Sequence, residues 1–313
     1  MTEDVELRVG AWSQRRRFRA EGFVPERLAA HKAGWVTVII PTRECAATIG
    51  GVLQDTVGPL IADGLVDEVV VVDANSRDGT AELAAGHGAR VIQQDTVLSE
   101  FGPALGKGDA MWRAVHATAG EIVCFLDGDT ADSDPRHPLG LLGPLLSDPS
   151  VELVKGAFDR PLRAAGAELA HEGGRVTELM ARPLLNLHAP LLAGFAQPLA
   201  GEFAARRPLL EAIPFPVGYG VEIAVLIEAL RVGGLEALAE CHLGTRRQPH
   251  QPLRALGEMA YAVLAAVERR LEPGRPPPDG RYLRPWDEFM VAQVPIAERP
   301  PLASLAAPPA AAR

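Results

Sequence analysis

Apolar positions along the chain recur in two different periods. Continuous runs at VTVII (36–40), DEVVVVDA (67–74), ARVIQQ (89–94) and EIVCFLDGD (121–129) show no polar alternation, the pattern of parallel strands covered on both faces. Helically spaced stretches lie between them, around 46–62, from about Asp78 to Ala85, and from about Gly106 to Ala119. Strand and helix therefore alternate, and right-handed crossovers turn that order into a doubly wound, mostly parallel α/β sheet. Beyond it come a strand in PSVELVKGAF, a helix from about Gly174 to Leu192, a strand near Gln197 and a helix opened by Tyr219 and Glu222. A strand ending in HLGT and a helix from about Gln251 to Leu271 complete a helical C-terminal elaboration of the same domain. Residues 1–35 read as an N-terminal extension, with the ordered fold starting near Trp35. Residues 36–272 form the main domain, in halves of about 36–130 and 131–272. Residues 273–313 are a Pro-rich extension whose last dozen residues lack periodicity and read as disordered.

Composition narrows the function classes. With 47% hydrophobic and 23% charged residues, the chain can bury a sizeable core, so disordered and fibrous classes are excluded. Forty acidic against thirty-one basic residues give a formal net charge of −9, which disfavours nucleic acid or an anionic membrane as a partner. Any phosphate must then be met by a local positive site. Cys45, Cys124 and Cys241 lack zinc or disulfide spacing. The first twenty residues have no signal-like apolar core, and no apolar run reaches membrane-spanning length, so a cytoplasmic protein without stable membrane association is expected.

In a doubly wound sheet, ligands bind beyond the carboxyl ends of the strands, here PTRE, DANSRDGT and DGDTAD. Asp127-Gly128-Asp129 places two carboxylates one residue apart at a strand end, hard oxygen donors suited to Mg²⁺ or Mn²⁺. An ordinary acidic turn would look the same, but Asp73 and Glu44 converge on the same sheet edge, where a base and ribose fit. Lys107 sits in GPALGKGDAMW, where glycines allow close backbone approach and the ammonium acts as a point charge for phosphate. The spacing is not that of a P-loop. Gly173-Gly174-Arg175-Val176-Thr177 opens a helix and combines free amides, a guanidinium and a hydroxyl, an arrangement suited to a phosphate or carboxylate. GTRRQPHQP gathers Arg246, Arg247, Gln248 and His250 after a strand.

Taken in order, VTVIIP, DEVVVVDANSRDGT, GKGDAMW, FLDGD, GGRVTELMARPLL, QPLAGEFAARR, PFPVGYGVEI and LGTRRQPHQPLRALGEM resemble the glucosyl-3-phosphoglycerate and mannosyl-3-phosphoglycerate synthase family, retaining glycosyltransferases of the GT-A fold. The likeness spans about Val36 to Leu256, and GGRVTEL, QPLAGE and GYGVEI are its specific parts. It implies that Pro41, Thr42, Glu44, Asp73, Lys107 and Asp127 bind the nucleoside diphosphate hexose. It implies that Gly174, Arg175, Val176, Thr177 and Arg246 bind 3-phosphoglycerate, that Asp129 holds the metal, and that Glu222 holds hydroxyls of the transferred hexose. Lys107, Asp129 and Glu222 are thus the candidate catalytic residues, Mg²⁺ or Mn²⁺ the expected cofactor, and a homodimer the expected assembly.

Two positions depart from the family pattern. Cys45 stands where a second acidic residue often follows the first strand. The family's metal-binding histidine aligns with Gln248, and His250 falls on a position associated with the acceptor, so His250 is a metal ligand or an acceptor contact. The expected reaction is hexosyl transfer to the 2-hydroxyl of 3-phospho-D-glycerate with retained configuration, glucose from UDP-glucose or GDP-glucose being preferred over mannose from GDP-mannose. A transferase with another acceptor, or a nucleotide-sugar-binding protein without turnover, is the competing reading. A nucleotidyltransferase is disfavoured because PTRECAATIG lacks a Gly-rich first loop.

Overall fold

The computed structural model describes residues 2–164, 167–169, 173–246, 252–285 and 290–305. Eight strands hydrogen-bond into one sheet: β1 (Arg17–Arg19), β2 (Val36–Thr42), β3 (Glu68–Asp73), β4 (Arg90–Gln93), β5 (Ile122–Phe125), β6 (Leu153–Asp159), β7 (Phe203–Arg206) and β8 (Leu238–Thr245). Their spatial order is β1-β8-β6-β7-β5-β2-β3-β4. Every neighbouring pair is parallel except those of β7, which runs antiparallel to both β5 and β6. The continuous apolar runs are explained by two cores, one on each face of the sheet. Ile39, Val70, Val72, Val123 and Phe125 point into one core; Val38, Ile40, Val69, Val71, Ile122 and Cys124 point into the other.

The N-terminal segment corrects the expectation that order begins near Trp35. Residues Glu3–Arg16 form a helix, Arg17–Arg19 extend the main sheet alongside β8, and Trp12 is fully buried with its Nε1 donating to the Leu238 carbonyl at 2.8 Å. The strand expected near Gln197 is also displaced. Gln197 lies in a turn whose amides at Ala196 and Gln197 donate to Glu240 Oε1, and Pro198 has no donor to give a ladder, so pairing starts only at Phe203. A helix at Arg136–Ser147, with Pro144 inside it, has a sequence too rich in glycine and proline to announce itself.

The described residues of the C-terminal extension, 273–285 and 290–305, likewise join the fold. Glu298–Arg299 pair antiparallel with Phe215–Pro216, Arg299 Nη2 bonds Asp109 Oδ2 at 2.5 Å, and Trp112 Nε1 donates to Pro300 O at 2.8 Å. Leu302 joins the core in a short 3₁₀ turn, so the expected disorder does not hold for the described part of the last dozen residues. This strap fixes the helix Lys107–His116 from behind: Asp109 also accepts from Arg113 Nε and from the Leu105 amide. No described helix is long and apolar enough to cross a membrane.

Candidate active site

Beyond the carboxyl ends of β2, β3 and β5 opens a cavity of about 730 Å³. Pro41 and Thr42 come from the end of β2, Asp127 and Asp129 from the turn after β5, and Lys107 from the first residue of its helix. Lys107 is delivered by close packing of its neighbours. Gly106 has φ +155° and a Cβ there would lie 2.8 Å from the Val217 carbonyl, while a Cβ on Gly108 would collide with the Pro216 carbonyl. The same contact brings in the helix Val221–Gly233, which carries Glu222.

Lys107 Nζ bridges two carboxylates, at 2.7 Å from Asp127 Oδ1 and 3.2 Å from Glu222 Oε1. Burial acts to lower the pKa of this ammonium, but Asp127 and Glu222 outweigh it and lift it above the ordinary lysine value. Arg246 reaches the other side of Asp127, with Nη1 3.3 Å from Oδ2, and its Nη2 pairs with Glu202 Oε1. Its guanidinium lies 4.1 Å from the Phe158 ring centre. Arg246 reaches the cavity because β8 is irregular between His242 and Thr245, where Gly244 has φ +104°. Burial works to raise the Asp127 pKa, yet Lys107 and Arg246 hold it down at about 2.

The two carboxylates of the Asp-Gly-Asp turn therefore differ. Asp127 is locked between two cations, whereas Asp129 is exposed at the cavity wall and makes no hydrogen bond or ion pair among the described residues. No group of three or more His, Cys, Asp or Glu side chains that could hold a metal occurs among the described residues. Asp129 fits a hard cation nonetheless, because Mg²⁺ is typically held by one or two carboxylates with substrate phosphates and water completing the shell. His250, Arg247 and Gln248 lie outside the described residues.

Gly174, Arg175, Val176 and Thr177 line the same cavity, as does Arg246. Gly174 has φ +72° and its carbonyl accepts the Glu178 amide at 3.0 Å, opening the helical segment that contains Thr177–Ala181 and Arg182–His188. Sequence reasoning therefore brings eleven residues to the cavity: Pro41, Thr42, Lys107, Asp127, Asp129, Gly174, Arg175, Val176, Thr177, Glu222 and Arg246.

Asp73 and Glu44 are not in its lining. Asp73 is fully buried and accepts hydrogen bonds from Thr42 Oγ1, Ser76 N, Ser76 Oγ and Gln93 Nε2 at 2.6–3.2 Å. Glu44, at φ +54°, receives the Arg77 amide on its carboxylate at 3.0 Å and donates its own amide to Ser76 Oγ at 2.9 Å. Both tie the loops after β2 and β3 together. The position of Cys45 is occupied by a buried thiol at the cavity edge, whose pKa burial pushes up.

Several residues of the site carried no recognisable signal. Glu202 is paired to Arg246, and Gly201 leaves room for the Lys107–Asp127 pair, since a Cβ on it would meet Lys107 Nζ and lie 2.7 Å from Asp127 Oδ1. Lys155 is fully buried with Nζ 2.5 Å from the Ala200 carbonyl, and burial pulls its pKa down to about 7. A lysine inside an apolar strand was the one available hint.

A family model described as Glycosyl transferase family 2 matches residues 37–155. The chain is 42% identical over 285 residues to the glucosyl-3-phosphoglycerate synthase of Mycolicibacterium smegmatis, covering 89% of this chain and 92% of that protein. Among solved structures it is similar to mannosyl-3-phosphoglycerate synthase from Rubrobacter xylanophilus, with TM-score 0.85 and 41% identity over 94% of this chain and 98% of that one. It is also similar to Mycobacterium tuberculosis glucosyl-3-phosphoglycerate synthase in complex with Mn²⁺, UDP-glucose and phosphoglyceric acid, with TM-score 0.80 and 38% identity over 90% of this chain and 95% of that one.

Proposed function

This chain belongs to the glucosyl-3-phosphoglycerate synthase family of glycosyltransferases, and from that premise we propose that it moves glucose from a nucleoside diphosphate glucose to the 2-hydroxyl of 3-phospho-D-glycerate with retained configuration. The observation that carries the reading is a single cavity lined by Lys107, Asp127 and Asp129 together with Gly174–Thr177, with Arg246 in contact with Asp127. Donor diphosphate and anionic acceptor meet there at adjoining walls.

The barrier lies in departure of the leaving diphosphate. Asp129, with diphosphate oxygens, would hold Mg²⁺ or Mn²⁺, which supplies Lewis-acid charge neutralisation when bound. Lys107 presents an ammonium that Asp127 and Glu222 keep charged and aimed, so it meets developing negative charge without reorganising. Glu222, only 6% exposed, keeps acceptor lone pairs for hexose hydroxyls rather than acting as a nucleophile, because its carboxylate is already paired with Lys107. Retention then follows from attack on the face the diphosphate leaves. Thr42 and Pro41 border the nucleotide, with Asp73 and Glu44 setting the loops that shape its pocket rather than touching it. Arg175, Thr177 and Arg246 fix the phosphate and carboxylate of the acceptor. His250 is the candidate second metal ligand.

Mannosyl transfer from GDP-mannose is the second reading, favoured by the likeness to the Rubrobacter xylanophilus enzyme. A donor panel separates them: protein, 3-phosphoglycerate and Mg²⁺ are combined with UDP-glucose, GDP-glucose, GDP-mannose or ADP-glucose, and product is read by mass and anomeric NMR. An α-glucosyl product from UDP-glucose or GDP-glucose supports the proposal. A mannosyl product, an inverted anomer or no product from folded protein overturns it.

A further inference from the structure

Among the charged groups of the cavity that are shielded from solvent, charge matching is nearly complete. Lys107 is satisfied by Asp127 and Glu222, and Arg246 by Asp127 and Glu202. Arg160, on the loop directly after β6, is the exception: it lines the same cavity yet makes no ion pair and no side-chain hydrogen bond among the described residues. Its Nε is shut off from solvent with no hydrogen-bond partner among the described residues. Around it are another guanidinium, Arg246, and carboxylates that already have other cations, so the net environment disfavours its charge. Burial first, and Arg246 second, pull its pKa below the ordinary arginine value.

A half-buried guanidinium without a counter-ion is costly, and a fold retains one where a ligand supplies the missing charge. The position says which ligand. The Gly173 amide donates to the Arg160 carbonyl at 2.9 Å, and a Cβ on Gly173 would strike that carbonyl and lie 2.8 Å from Arg160 Cβ. Arg160 is therefore packed against the start of the Gly174–Thr177 segment, at the end of β6, which β7 and β5 separate from β2 and β3 in the sheet. We propose that Arg160 is a binding residue for the anionic acceptor, its guanidinium donating to the phosphate or carboxylate of that substrate together with the Gly174–Thr177 segment. The assignment rests on the proposed acceptor, and it makes the acceptor itself the counter-ion that completes the site.

Two variants test it, Arg160→Met and Arg160→Lys, each examined by steady-state kinetics in both substrates and by thermal unfolding without ligand. Loss of a charge-assisted hydrogen bond predicts an acceptor KM raised on the order of 10-fold or more in Arg160→Met, with the donor KM within about 2-fold of wild type. Because the methionine removes an unmatched charge, its melting temperature equals or exceeds that of the wild type, and 3-phosphoglycerate raises it less. Arg160→Lys keeps the charge without the planar fork and falls between the two. An unchanged acceptor KM, a raised donor KM, or a lowered melting temperature in both variants overturns the proposal. Wild-type protein that ignores 3-phosphoglycerate overturns the functional reading and this assignment with it; active wild type with an indifferent variant overturns the assignment alone.

Discussion

On the side of the cavity made by the loops after β2 and β3, polar groups satisfy one another. Asp73 takes four hydrogen bonds, Glu44 and Ser76 cross-link the two loops, and Asp78 accepts from the Ala46 and Thr80 amides and the Thr80 hydroxyl. The opposite side is unfinished by comparison. Among the described residues Arg160 has no counter-ion and Arg246 Nε and Glu202 Oε2 are buried without hydrogen-bond partners, and Arg175 and Arg246 line the same cavity. A saturated network builds shape, which suits recognition of a flat base and a ribose. The guanidinium of Arg160, unmatched among the described residues, stores attraction for an anion, which suits a small acceptor with several negative charges in a protein whose net charge is −9.

The contrast is sharpest at Asp129, the one cavity carboxylate that neither side uses internally. Asp129→Ala is expected to lower metal-dependent kcat on the order of 10³-fold, with the melting temperature unchanged because the side chain is exposed and unpaired. Turnover at the wild-type level would remove it from the metal site.

Asp73→Ala probes the saturated side. It strands four donors in a buried position, so unfolding free energy falls by about 3 kcal/mol in denaturant titration. A loss of donor affinity without loss of stability would instead return Asp73 to direct nucleotide contact. Arg175→Ala probes the other side: acceptor KM rises about 10- to 100-fold while donor KM holds, and an unchanged acceptor KM takes Arg175 out of the acceptor wall.

The smallest effect concerns His137, buried edge-on against Phe158 beneath the same wall. Burial and then the Arg246 charge lower its pKa from 6.5 to about 4. The unfolded chain takes up that proton below pH 6.5 while the folded one resists it to about 4, so stability is present above 6.5 and is lost as pH falls toward 4. Between pH 6.5 and 5.5 the loss is about 1 kcal/mol, and a His137→Gln variant lacks that part of the slope in unfolding measured against pH.

The same contrast governs what the amino-acid sequence discloses. β2, β3, β5 and β6 are legible because burial on both faces forces continuous apolar runs. The N-terminal helix is not, since Trp12 finds its partner at Leu238, and the C-terminal strand is not, since Arg299 finds its partner at Asp109. β7 is defined by neighbours on both sides rather than by its own four residues. In the site, Lys107 and the Asp-Gly-Asp turn stand out because short motifs carry them. The closeness of Asp73 and Glu44 to the site is readable as well, but their use as internal acceptors is a property of the loops they join. Arg160 and Glu202 acquire meaning only when β6, β7 and β8 bring them beside Arg246, a relation no local pattern encodes.

Calorimetric titration of 3-phosphoglycerate into protein saturated with nucleoside diphosphate and Mg²⁺, set beside D-glycerate under the same conditions, tests most directly whether the arginine-lined wall receives a phosphorylated acid. The account predicts saturable binding of 3-phosphoglycerate, with glycerate weaker on the order of 100-fold for want of the phosphate. Equal affinity for the two, or binding of neither, would contradict it.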